Sequence, residues 1–201
     1  MVAKLKPLKA KMVFTYLYDP LFKGYRPGDL KKIDVVNFSF GVVDSGRVSL
    51  KKTSHLDEVL SEAHAEGVRV VLSIGGWGAG GFSEAVSTEE SRKEFVDSIV
   101  QVVKEKGFDG VDMDWEYPTT SVAGISSSPD DKVNFTLFME QLRNALDKDL
   151  LLTIAVPASN FNKYYEIAKL NQYIDYLHIM SYDMSDMKRA THHTNLSPSE
   201  Y

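Results

Sequence analysis

The chain has 201 residues, 43% of them apolar and 25% charged, with a net charge of -5; this is the make-up of one ordinary globular unit and offers no basic footprint for nucleic acid. It contains no cysteine, which excludes a disulfide frame, thiolate chemistry and a cysteine zinc site. No run is long and apolar enough for a membrane-spanning helix, and the opening MVAKLKPLKAKMVF is basic without the apolar stretch of a secretory signal.

Strand and helix signals alternate along the chain. Val13 to Tyr18, rich in aromatic and β-branched residues, reads as the first strand, and Pro27, Gly28 and Asp29 open at most one or two helical turns. Val35 to Val43 is the second strand, followed by a turn at Asp44 to Gly46. Thr53 or Ser54 is expected to cap a helix that carries Leu56, Val59, Leu60 and Ala63 on one face and stops at Gly67. Val68 to Ile74 is a near-continuous apolar run, as expected of a parallel strand buried on both faces. It ends in the glycine-rich Gly75-Gly76-Trp77-Gly78-Ala79-Gly80-Gly81, which lacks the lysine and the spacing of a phosphate loop and reads instead as room for a ligand against an exposed indole.

Ser87 and Glu90 form a capping-box signature for a helix with Phe95, Ile99, Val102 and Val103 on one face, ending at Gly107. After the acidic segment described below, Pro118 to Ser128 reads as a long mobile loop. Ser128, Pro129 and Asp131 then start a helix whose buried stripe is Phe135, Phe138, Leu142 and Leu146. Leu150 to Val156 is the fifth strand, Tyr164 to Leu170 a short helix and Ile174 to Tyr182 the sixth strand. From the second strand on, strands begin about every 25 to 40 residues, the size of a βα unit, so the fold class is α/β, either doubly wound or a (β/α) barrel.

The segment Phe108 to Pro118, FDGVDMDWEYP, is the fourth strand and the chemical centre of the chain. With a period of two, Val111, Met113 and Trp115 face the core, while Gly110, Asp112, Asp114 and Glu116 share the other face. Aspartate is a poor strand former, and carboxylates stacked on one pleat face cannot all ionise at their usual pKa values. A row that costs stability in this way points to a functional site rather than a solvated edge.

Asp109, Asp112, Asp114 and Glu116 form DxxDxDxE, and the segment resembles the signature of glycoside hydrolase family 18, the chitinase family. SIGGW at Ser73 to Trp77 and MSYD at Met180 to Asp183 resemble the same family at the right places, and the resemblance runs from about Val13 to Pro198. It implies a (β/α)8 TIM barrel, of which this chain supplies about the first six βα units, with the site at the C-terminal ends of the strands. It also implies retaining hydrolysis of β-1,4 bonds in chitin or another N-acetylglucosamine-containing oligosaccharide, assisted by the substrate's own acetamide and needing no cofactor or metal. Glu116 would be general acid and then base, Asp114 would hold the acetamido N–H, Asp112 would share charge with Asp114, and Tyr182 would bond the acetamido oxygen. Tyr16, Phe40, Gly75, Gly76, Trp77, Met180 and Asp183 would line the sugar site, with Trp77 as a stacking platform. Asp109, of opposite parity, is expected to support the strand, and Trp115 to lie in the core.

His192 and His193 are adjacent, without an acid at metal spacing, and are expected to sit in a surface loop. Two other readings stay open: an endo-β-N-acetylglucosaminidase acting on N-glycans, and a non-catalytic, lectin-like chitin-binding relative. The family resemblance suggests an extracellular protein. A closed barrel needs about 250 residues, so residues 1–201 are expected to be a truncated catalytic domain whose open edges are covered by a second fragment or a symmetry mate.

Overall fold

A computed structural model describes residues 11–51 and 53–183, together with Thr194. Its strands are β1 (Phe14–Tyr18), β2 (Val35–Asp44), β3 (Arg47–Ser49), β4 (Arg69–Gly75), β5 (Gly110–Asp114), β6 (Leu151–Pro157) and β7 (Tyr176–Met180). Its helices are α1 (Leu56–Ala65), α2 (Phe82–Val86), α3 (Glu89–Lys106), α4 (Asp131–Ala145), α5 (Phe161–Tyr164) and α6 (Ile167–Leu170). The strands pair in the order β1-β2-β4-β5-β6-β7, all parallel, with β3 folded back antiparallel on β2. The result is a partial (β/α) barrel, a curled sheet of six parallel strands whose two ends, β1 and β7, are not paired with each other among the described residues. Among those residues no helix is long and apolar enough to cross a membrane.

The alternation of side chains sets two environments. Outward, Phe38, Leu72, Ile74, Val111, Met113, Ile154 and Val156 join Leu56, Val59, Leu60 and Ala63 of α1, Phe95, Ile99 and Val103 of α3, and Phe135, Phe138 and Leu142 of α4 in one buried core. Each such side chain contributes about 1.5–3 kcal/mol on burial. Inward, a small apolar floor of Val35, Val71 and Leu151, flanked by Phe14 and Tyr176, closes the N-terminal end of the strands. One step up each strand, the inward positions turn polar: Tyr16, Asn37, Ser73, Asp112, Thr153 and His178 form a hydrogen-bonding layer. The sheet curls far enough for β1 and β7 to meet through side chains, with Phe14 centred 4.9 Å from Tyr176 and 4.7 Å from His178.

Several local expectations need correction. The expected turn at 44–46 is present, and the structure adds the short strand β3 beyond it. Neither Thr53 nor Ser54 caps α1; its N-cap is His55, and the carboxylate of Asp19, distant in sequence, accepts the N–H groups of Ser54 and His55, both at 2.8 Å. On α3 the capping box is Thr88 with Ser91, one residue later than the Ser87–Glu90 pair. α4 begins at Asp131 with Asp130 as N-cap, because Asp131 turns inward and accepts from Ser83 and from the Ser128 and Thr119 N–H groups. Those bonds, a turn at Val122–Gly124 and the buried Ile125 pin the 118–128 loop. The expected single helix at 164–170 is two, α5 and α6, broken where Tyr165 adopts an extended backbone. His192 and His193 lie outside the described residues.

Candidate active site

Asp112 is fully buried in the middle of the polar layer, and hydroxyls from three other strands converge on it. Thr153 of β6 donates to its Oδ1 at 2.6 Å, while Ser73 of β4 and Tyr16 of β1 donate to its Oδ2 at 2.7 and 2.8 Å. Burial, and then the Asp112 charge, push the Tyr16 phenol far above its ordinary pKa. The His178 imidazole, 3.9 Å from Asp112 Oδ1, is held below its ordinary pKa by burial, which outweighs the attraction of that carboxylate.

Asp114 is the next residue up on the same face, 5% exposed, and its Oδ1 is buried without a hydrogen-bond partner among the described residues. Burial foremost, then the charges of Asp112 and Glu116, raise its carboxyl to about 8. The backbone around it requires glycine. Gly75, at φ 126°, passes so close that a Cβ would lie 2.0 Å from the Asp114 carbonyl oxygen, and Gly76, at φ 89°, donates its N–H to that oxygen at 2.9 Å. These glycines therefore serve close backbone packing first, although both also border a hollow beside Trp77.

Glu116 stands past the end of β5, half-buried, with Tyr117 donating its phenol O–H to Oε2 at 3.0 Å. Burial raises its pKa, the Asp183 charge adds to the rise, and the Tyr117 bond opposes it. It forms one wall of a cleft of about 580 Å3 lined also by Trp77, Tyr117, Met180, Tyr182, Asp183 and the β6 exit Pro157-Ala158-Ser159. Trp77 is 68% exposed and also borders a second hollow of about 470 Å3 with Tyr18, Phe40, Gly75 and Gly76. The Tyr182 phenol, half exposed, is pushed up to about 12 by burial and by the charges of Asp114, Glu116 and Asp183. A carboxyl inclined to hold its proton thus lines an open cleft, two residues from a buried carboxyl with an oxygen that no described residue donates to.

A profile of the glycosyl hydrolases family 18 matches residues 15–200. The chain belongs to that family. It is 38% identical over 128 residues to chitinase A1 of Niallia circulans, an alignment covering 59% of this chain and 18% of that protein. It superimposes on a family 18 N-acetylglucosaminidase from Paenibacillus barengoltzii with a TM-score of 0.81 and 39% identity, over 87% of this chain and 54% of that one. The chitinase domain of the spore coat protein CotE from Clostridium difficile gives a TM-score of 0.82 and 33% identity, over 94% and 56%. The chain thus spans about half the length of these two solved structures.

The structure groups the family 18 motif residues by depth. Glu116, Trp77, Met180, Tyr182 and Asp183 meet at the cleft, and Phe40, Gly75 and Gly76 at the adjoining hollow. Asp112 and Tyr16 lie in the polar layer, bound to each other, and neither lines the cleft. Asp109 sits apart, bonded to His64 at 2.7 Å and to the Val70 N–H at 2.8 Å, and Trp115 is buried among Phe82 and Phe135. Sequence reasoning did not pick out Tyr117, Ser73 or Thr153 as site residues. A hydroxyl at an inward position of an otherwise apolar run was the available signal for Ser73 and Thr153.

Proposed function

We propose that the protein hydrolyses β-1,4 bonds in chitin or chito-oligosaccharides with retained configuration. Glu116 acts as general acid and then base, and the sugar's acetamide acts as nucleophile. The observation that carries this reading is Glu116 on the cleft wall with its pKa raised by burial, two residues from an Asp114 oxygen that has no hydrogen-bond partner among the described residues. A protonated Glu116 gives its proton to the leaving oxygen, which suits a carboxyl shifted toward working pH. The acetamido carbonyl attacks the anomeric carbon, and the ion that forms carries positive charge. The free Asp114 oxygen accepts the acetamido N–H and stabilises that charge, backed by Asp112 in the layer below. Tyr182, on the cleft wall, donates to the acetamido oxygen. Glu116, now ionised, takes a proton from the water, whose oxygen bonds to the anomeric carbon as that carbon's bond to the acetamido oxygen breaks and the acetamide is restored. The exposed Trp77 face offers a sugar ring a stacking surface.

Glu116→Gln is expected to lower turnover of chito-oligosaccharides by at least about 10²–10⁴-fold while sugar binding stays near wild type. Product analysis with calorimetry of binding checks this, and near-wild-type turnover removes Glu116 from the role. Cello-oligosaccharides, which have no acetamide, are expected to resist cleavage, whereas a thiazoline analogue of the cyclic ion inhibits strongly. Equal cleavage of both sugars points to a protein nucleophile. Preference for a high-mannose glycoprotein points to N-glycan hydrolysis, and binding without any cleavage to a lectin-like protein.

A further inference from the structure

Glu116 lies two residues beyond Asp114, the last residue of β5, where no ladder bond to β4 or β6 holds the chain. Its position is set through its two neighbours, and both lead to the same dipeptide. The Trp115 carbonyl accepts the phenol O–H of Tyr165 at 2.6 Å. The Tyr117 ring stacks on Tyr164, with centroids 5.0 Å apart and planes at 20°, while its hydroxyl holds Glu116 Oε2. Tyr164 ends α5, and Tyr165 follows in extended conformation, with the two rings edge to face at 6.5 Å, one reaching each neighbour of Glu116. Tyr165 is 1% exposed and packs edge-on against Phe135. Neither tyrosine lines the cleft. A phenylalanine would fill the space of Tyr165 equally well, and a hydroxyl is costly to bury unless it is bonded. Its presence is explained by the tie to a carbonyl that has no strand partner.

We propose that Tyr165, with Tyr164 beside it, is a positioning residue for the general acid, gripping Trp115 and Tyr117 so that the Glu116 carboxyl is held toward the scissile oxygen. The inference rests on the reading of Glu116 given above. Loosening the grip moves the carboxyl away from its productive position and slackens its bond from Tyr117, with little effect on how the sugar binds. The groups that face Glu116 are Asp114 on β5, Tyr117 beside it, and Tyr182 and Asp183 beyond β7. Of these, Tyr117 alone holds the Glu116 pKa down, so a slackened bond lets the pKa rise.

The test is Tyr165→Phe in the full chain. On chito-oligosaccharides kcat is expected to fall about 10-fold with KM within about twofold. On an aryl chito-oligoside, whose leaving group needs little protonation, the loss is within about twofold. The Glu116 carboxyl, followed by carbon NMR, titrates at higher pH than in the wild type. Equal losses on both substrates show a general structural defect, and an unchanged titration with unchanged kcat shows no tie; either overturns the proposal. If Tyr165→Phe does not fold, Tyr164→Leu, which removes the stacking on Tyr117 together with the ring's edge contact to Tyr165 and the Lys163 ammonium over it, is read in the same way. The NMR titration needs no turnover, so it decides the positioning role separately. Full activity of Glu116→Gln removes the general-acid reading whatever Tyr165 does.

Discussion

At Asp114 the protein keeps a carboxyl whose ionised form costs it stability. The carboxyl is almost wholly buried and faces the charges of Asp112 and Glu116, so folding raises its pKa from 3.8 to about 8. The folded state therefore binds this proton more tightly than the unfolded state. The resulting stability is present below about pH 4 and is lost as pH rises through about 8. Asparagine imitates the protonated form at every pH. Asp114→Asn is thus expected to match the wild type near pH 4 and to exceed it above pH 8 by a few kcal/mol, or a Tm gain of roughly 4 °C or more. Turnover should fall sharply in the same variant. Calorimetric melts at the two pH values check the sign, and an equal difference at both shows that Asp114 ionises as it would in water. Such a gain in stability with a loss of function marks a residue kept for chemistry.

The start of α1 shows how a carboxylate far away in sequence can take over a helix cap. Asp19, 1% exposed at the end of β1, receives two N–H groups at the start of α1 and anchors the chain next to Tyr18 and Pro20 at the rim of the Trp77 hollow. Asp19→Asn is expected to cost about 1–3 kcal/mol, because a charge-assisted acceptor in a buried place is weakened. Ser54→Ala is expected to stay within about 0.5 kcal/mol, because the exposed Ser54 side chain caps nothing. Urea midpoints of the two variants decide between the local and the distant cap, and the reverse ranking restores Ser54. The same distinction explains what was legible beforehand. The strands, the helical stripes and the acids of FDGVDMDWEYP could be read because periodicity and spacing are local. The cap from Asp19, the inward turn of Asp131, the hydroxyls on Asp112 and the Tyr165 tie could not, because each joins residues that only the folded chain brings together. The hairpin strand β3 was missed for a different reason, being three residues long.

At the scale of the whole molecule, the curled sheet of the described residues meets itself only partway. Phe14 packs on Tyr176 and His178, and the Tyr176 hydroxyl reaches the Met12 sulfur at 3.2 Å, so the inner floor is bridged by side chains. On the outside, Ile179 of β7 is 54% exposed and Val13, next to β1, is 51% exposed, although their counterparts on the central strands are covered by helices. Strand edges with uncovered apolar side chains invite pairing with another chain, and a lysine there discourages it. The 201-residue chain is therefore expected to self-associate with rising concentration in sedimentation velocity. Ile179→Lys is expected to shift it toward the 22.6 kDa monomer without changing the helical signal. Val133→Lys, at an equally exposed position on α4, serves as the control, because it adds the same charge away from the sheet edges. If both variants reduce association equally, net charge rather than the edge governs it. A wild-type chain that stays monomeric at every concentration shows that the edges are protected in solution.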